Sequence, residues 1–173
     1  MKESPYEKTK EKVHNFLSEK WSAAFEMWLE CIIDLSNILR DSIPPDPKTG
    51  IPDALVYEAG VRSGKRICGW LFDYFSLGKL GIKERTYYTD AFFSMSGMGT
   101  IEFLKEEGGR VLRFRGGTYI AKHMGRTGRK TCHFVAGFIA GATSRMVGKE
   151  FVAEEVRCFS EGNENCDFLV KPQ

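Results

Sequence analysis

Residues 132–172 read CHFVAGFIAGATSRMVGKEFVAEEVRCFSEGNENCDFLVKP. The first half, from Cys132 to Val147, is an apolar run with Gly137 and Gly141 four residues apart. Its length and lack of alternation predict a helix. KEFVAEEVRC (149–158) and CDFLVKP (166–172) flank a polar turn centred on Gly162. That pattern predicts two strands joined as a hairpin. Cys158 and Cys166 bracket the turn, and Cys132 opens the helix. Three chemistries are compatible with such thiols: a disulfide, inert core cysteines, or part of a metal site.

Working upstream, TIEFLKEEGGRVLRFRGG predicts a second hairpin, with strands 100–106 and 110–115 and a turn through Gly108–Gly109. The following GTYIAKHMGRTGRKT (117–131) reads as a loop with basic residues. Before these strands lie three helical segments. Residues 6–42 carry Val13, Phe16, Leu17, Trp21, Ala24, Phe25, Trp28, Leu29, Ile32, Leu35 and Leu39 at three- and four-residue steps. A helix of about 37 residues spans roughly 55 Å, longer than a small domain is wide. Part of it is therefore expected to pack on the domain and part to form a dimer contact. IPPDPKTGIPD (43–53) ends it, and Asp53 is the expected N-cap of a helix over 54–77. Gly60, Gly64 and Gly69 in that helix suggest close approach of a neighbouring backbone. A third helix is expected over about 83–96. Helices, hairpin, helix, hairpin make an α+β fold: an antiparallel sheet of about four strands covered by helices, with a long N-terminal helix. Residues 1–43 are assigned to the N-terminal helix and 50–173 to a ligand-binding domain.

The 173 residues suit a single core, and a net charge of +2 points to neither nucleic acid nor an anionic membrane surface. No run of 18 apolar residues predicts a membrane span, and the N-terminus lacks a signal-peptide pattern. A cytoplasmic setting, where thiols stay reduced, is expected. Five cysteines cannot all pair with one another.

A zinc ion takes four Cys, His or carboxylate ligands in a tetrahedron. Cys158 and Cys166 can meet across a hairpin, and Cys132 can join from the helix start. The fourth ligand is open between Glu154 and Glu155, with His133 a further candidate. In an unbroken strand Glu154 shares the face of Cys158, and Glu155 joins only if the strand bulges near Arg157. Arg110, Arg113, Arg115, Lys122, Arg126, Arg129 and Lys130 form a basic stretch that reads as a solvated face. GRTGRKT fails the phosphate-loop spacing. The aromatic helices supply Trp70, Tyr74, Tyr87, Tyr88, Phe92 and Phe93 as candidate walls of a site for a small apolar ligand.

YEAGVRSGKR (57–66), SMSGMGTIEF (94–103) and the run from Cys132 to Pro172 together carry a resemblance. The chain resembles the 4-vinyl reductase (4VR) domain family. That family is similar to the effector-sensing domain of aromatic-responsive transcription activators and, distantly, to Bet-type transport-particle subunits. The shared pattern is Cys, a Gly-x-x-x-Gly helix, Glu-x-x-Cys, seven residues, then Cys-x-Phe. In the sensor members it binds one zinc, so the resemblance implies Cys132, Glu155, Cys158 and Cys166 as ligands of a structural Zn2+. It chooses Glu155 over Glu154 and so implies the strand bend. It further implies a non-catalytic sensor or regulatory domain with an apolar cavity for a hydrophobic or aromatic ligand. Such a domain is expected to be a homodimer acting through another regulatory protein, without direct contact to nucleic acid. The alternatives are a reductase of a vinyl group on a tetrapyrrole, or a scaffold or tethering subunit.

Overall fold

A computed structural model describes residues 4–20, 32–35, 37, 38, 41, 51–106 and 109–173. Helix α1 (Pro5–Lys20) begins after Ser4, whose hydroxyl accepts a hydrogen bond from the Glu7 N–H. Further described residues at 32–35, 37, 38 and 41 are helical. The dimer contact expected from Trp21 and Trp28, the 43–50 linker and Gly108 of the first turn lie outside the described residues. Helix α2 (Ile51–Tyr74) starts before the expected cap, so Asp53 sits in its first turn rather than at its N-cap. Pro52 explains the earlier start: proline is well suited to a helix's opening turn, where its missing N–H costs nothing. A 3-10 turn at Leu77–Lys79 leads to α3 (Ile82–Met95).

Strands β1 (Thr100–Glu106) and β2 (Gly109–Arg115) pair antiparallel, with Phe103 opposite Leu112 and Ile101 opposite Phe114. The segment read as a basic loop contains a short helix, α4 (Tyr119–Met124). Thr118 caps it by accepting from the Ala121 N–H, and Gly125 ends it at φ 72°. Helix α5 (His133–Val147) follows, then β3 (Phe151–Arg157) and β4 (Cys166–Pro172). The sheet order is β1-β2-β4-β3, antiparallel throughout. The α+β class and the four-stranded sheet are as the sequence predicts.

Helices α2 and α5 are held together by glycines on both sides. A Cβ at Gly60 would lie 2.8 Å from the Phe138 nitrogen, and one at Gly64 2.9 Å from the Ala142 nitrogen. In return, a Cβ at Gly137 would overlap the Tyr57 carbonyl and one at Gly141 the Val61 carbonyl. No side chain fits between these backbones. Over the sheet, Phe93, Phe114, Phe138 and Phe168 form a buried aromatic core, with Phe93 edge-on to Phe138 at 5.5 Å and Phe114 edge-on to Phe168 at 5.5 Å. α1 lays Val13, Phe16 and Leu17 into the same core. Among the described residues no helix is long and apolar enough to cross a membrane.

Candidate metal centre and adjoining cavity

Four side chains from three elements converge between the start of α5 and the β3–β4 turn. Cys132 immediately precedes α5, Cys158 follows β3 and Cys166 opens β4. Glu155 reaches them because β3 carries a bulge. Glu155 pairs with Phe168, yet Arg157 pairs with Asp167, so Val156 is the extra residue. The bulge resets the alternation and brings Glu155 and Cys158 to the same side. Glu154 is left exposed, near Lys171 at 3.9 Å. One ligand atom from each of Cys132, Glu155, Cys158 and Cys166 lies within 4.8 Å of all the others. All three thiols are fully buried, and Glu155 is 5% exposed. His133 points elsewhere, its Nε2 3.4 Å from the Asp53 carboxylate.

The cluster has the dimensions and donors a cation requires. A tetrahedron with metal–sulfur bonds of ~2.3 Å has edges of ~3.8 Å, and Cys132 Sγ lies 3.7 Å from Cys166 Sγ. The Cys132 N–H donates to Glu155 Oε2 at 3.1 Å. Glu155 Oε1 is buried without a hydrogen-bond partner among the described residues. An orphaned buried carboxylate oxygen is costly unless a further group completes it. The surrounding donors suit thiolates: the Phe159 N–H donates to Cys166 Sγ at 3.2 Å, and the Thr118 hydroxyl lies 3.1 Å from Cys132 Sγ. Thr131 links the cluster to Ser160 at 2.9 Å, and the Ser160 hydroxyl donates to the Ala121 carbonyl at 3.2 Å. The donor set fits a borderline-soft divalent ion such as zinc.

Left to themselves, these acids suppress one another's ionisation. Burial raises the Cys132 thiol well above its ordinary value. Burial, with Cys158 beside it, carries Glu155 up to about 9. Cys132 draws Cys166 down, but Cys158 and burial outweigh that pull and leave it at about 12. Cys158 alone moves down, because Cys132 and Cys166 both direct hydrogen bonds at it. A divalent cation is the species that releases such protons.

The sheet face covered by α3 and α5 also holds a cavity of about 390 Å³. Phe93, Leu112, Met146, Val147, Phe151 and Val170 make its walls apolar, while Thr86, Thr89, Thr143 and Arg110 add polar groups. Of the aromatic candidates, Phe93 lines this cavity. Phe92 is buried beside it, stacked on Phe138 at 6.3 Å. Trp70 and Tyr74 lie around Phe16 of α1, at 5.9 and 4.9 Å, and are about half exposed. Tyr88 packs on Phe75 at 5.0 Å, and Tyr87 meets Tyr6 at 5.9 Å. The threonines and Arg110 were not singled out as cavity residues from the sequence. The available signal was Arg110 itself, which shares the alternation of Leu112 and Phe114.

The class these features define is an α+β domain whose last helix and hairpin close over a buried Cys3Glu centre. Residues 118–172 match the vinyl-4-reductase (4VR) domain family, which upholds the resemblance over that stretch. Among curated proteins, the chain is 31% identical over 74 residues to an uncharacterized protein of Methanocaldococcus jannaschii, MJ0150; the match covers 43% of each chain. It thus spans less than half the length of that relative. Three solved structures share the fold. A vinyl-4-reductase family protein from M. jannaschii aligns over 100% of this chain and 98% of its own, at TM-score 0.57 and 16% identity. The phenol-responsive sensory domain of the transcription activator PoxR, solved with phenol, aligns over 82% and 74%, at TM-score 0.62 and 16% identity. A trafficking protein particle complex subunit 3 from Naegleria fowleri, covalently bound to palmitic acid, aligns over 86% and 95%, at TM-score 0.63 and 12% identity.

Proposed function

We propose that this chain is a zinc-braced, non-catalytic domain that binds a small hydrophobic or aromatic molecule and acts as a sensor or regulatory module. The observation that carries this reading is a shared frame. The candidate metal ligands sit at the start of α5 and at the facing ends of β3 and β4, and α5 and β4 also wall the cavity through Thr143, Met146, Val147, Val170 and Pro172. Cys132, Glu155, Cys158 and Cys166 would hold the ion, which supplies a rigid crosslink. Four protein ligands fill a tetrahedron and leave no position for substrate, which favours a structural over a catalytic role. The fold shared with a phenol-responsive sensory domain supports the ligand class. A reducing, cytoplasmic setting suits three free thiols, and a homodimer through the N-terminal helix remains part of the proposal. Output would pass through a partner protein.

Two measurements test it. Elemental analysis of protein purified without chelator should give one zinc per chain, and a melting screen should show stabilisation by phenols or other small apolar molecules. Metal-free protein with unchanged melting after chelation would refute the brace. A screen in which no apolar compound shifts melting would refute the binding function.

A further inference from the structure

We propose that the cavity takes an apolar monocarboxylate, with Arg110 as the group that recognises its head; this rests on the small-molecule binding proposed above. The placement of Arg110 is the starting point. Along β2, residues 110, 112 and 114 share one face by strand alternation. Leu112 and Phe114 on that face are buried beneath the helices. Arg110 is therefore a cation on the apolar side of the sheet, at the end where the cavity opens, and it contributes to the cavity lining. Arg113 and Arg115, on the opposite face, are neutralised by Asp167 and Glu102. Arg110 has no ion pair among the described residues, and its cross-strand partner on β1 is another cation, Lys105.

No carboxylate lines the cavity among the described residues. Two of its three hydroxyls are already committed as donors. Thr86 donates to the Lys83 carbonyl at 2.7 Å, and Thr89 to the Arg85 carbonyl at 3.5 Å. They offer a ligand lone pairs only. The donors left to meet an anion are the Arg110 guanidinium and the Thr143 hydroxyl. A guanidinium presents a planar fork that matches a carboxylate. Below it the walls are apolar, with Phe93, Leu112 and Met146 buried. At ~30 Å³ for each water-sized atom, the cavity has room for roughly a dozen non-hydrogen atoms. Phenol would leave much of it unfilled. A ten-carbon fatty acid or an arylalkanoic acid of similar size matches both the volume and the charge.

The test uses three ten-carbon probes that differ in the head group: decanoate, 1-decanol and decyltrimethylammonium. Binding to the zinc-loaded chain is followed by calorimetry and by thermal shift. Decanoate should bind about tenfold or more tightly than decanol, the scale of one charge-assisted hydrogen bond, and the ammonium should bind weakest. Arg110→Gln should erase the preference for decanoate while leaving decanol affinity and the melting temperature of the free protein unchanged. Arg110 is exposed and makes no ion pair among the described residues, so the variant should fold. Equal affinity for decanoate and decanol, or a preference that survives in Arg110→Gln, overturns the carboxylate assignment and leaves the binding function standing. Failure of all three probes, and of phenol, overturns both.

Discussion

Replacing Gly137 by alanine isolates the physical feature on which the whole frame depends. Elsewhere in a helix the change is favourable, because alanine exceeds glycine in helix propensity by ~1 kcal/mol. Here the new Cβ would overlap the Tyr57 carbonyl oxygen and lie 2.8 Å from its carbon and 3.0 Å from the Val61 nitrogen. These are backbone atoms of α2, so no side-chain rotation relieves the contact. The helices must part by at least about half an ångström, and a gap of 0.5–1 Å forfeits a quarter to a half of the dispersion energy across it. The four interlocked glycines share that separation, so the loss runs along the interface. We expect Gly137→Ala to cost about 2–3 kcal/mol net, or roughly 4–12 °C in Tm for a chain of this size. Gly69→Ala is the internal control. It lies on α2 as well, but its Cβ would meet only the flexible Arg145 side chain, at 3.3 Å from Nε. It should melt at or slightly above the wild-type temperature. Thermal melting of the two variants side by side, both zinc-loaded, decides the matter. If Gly137→Ala melts within a degree or two of Gly69→Ala, the close-packed interface is wrong.

Cys158→Ser should lose most of the bound metal and lower Tm, whereas Cys68→Ser, at a buried thiol on α2 outside the cluster, should keep one metal per chain whatever its effect on melting; metal content by mass spectrometry separates them. Asp167 is 1% exposed and accepts from Arg113 and Arg157 at 2.9 and 3.0 Å. Burial opposes its ionisation, but the two guanidiniums outweigh that and hold its carboxyl below the usual range. A depressed carboxylate stabilises fully above its unfolded value of ~3.9 and loses that contribution as pH falls through the folded one. Asp167→Asn should therefore cost about 1–3 kcal/mol at pH 7, and the gap in denaturant stability should close as the solution is acidified below pH ~4. Tyr6 is pushed up to about 12 by burial and by its hydrogen bond with Asp90 on α3. Its contribution is complete below pH ~10 and is lost as pH rises through about 12. Tyr6→Phe should loosen α1 by about 1 kcal/mol, seen as faster amide exchange confined to that helix.

How much could be read from the chain differs between the two sites for a physical reason. The candidate metal residues lie within 35 positions, and their elements carry strong local patterns: an apolar helix with paired glycines, then two strands around a polar turn. Spacing alone left Glu154 and Glu155 open, because strand alternation favours Glu154. Only a bulge reverses that choice, and a bulge is a two-strand property that the register between Glu155 and Arg157 shows directly. The short helix α4 escaped notice although its signals were present, Thr118 before it and Gly125 after it. Six residues carry too little periodicity to stand out from a basic stretch. The cavity was less legible still. Its walls come from α3, three strands and α5, spread from residue 82 to 172. Helical periodicity assigns Tyr74, Tyr87 and Phe92 to apolar faces but does not say which neighbour each face meets. In the folded chain α1 takes Trp70 and Tyr74, while the sheet takes Phe93. The informative residue was instead the one that broke its strand's pattern. A cation at position 110, two residues from Leu112 and four from Phe114, conflicts with a purely apolar covered face. Such a local conflict marks a functional position more sharply than a run of aromatics, because packing alone gives no reason to retain it.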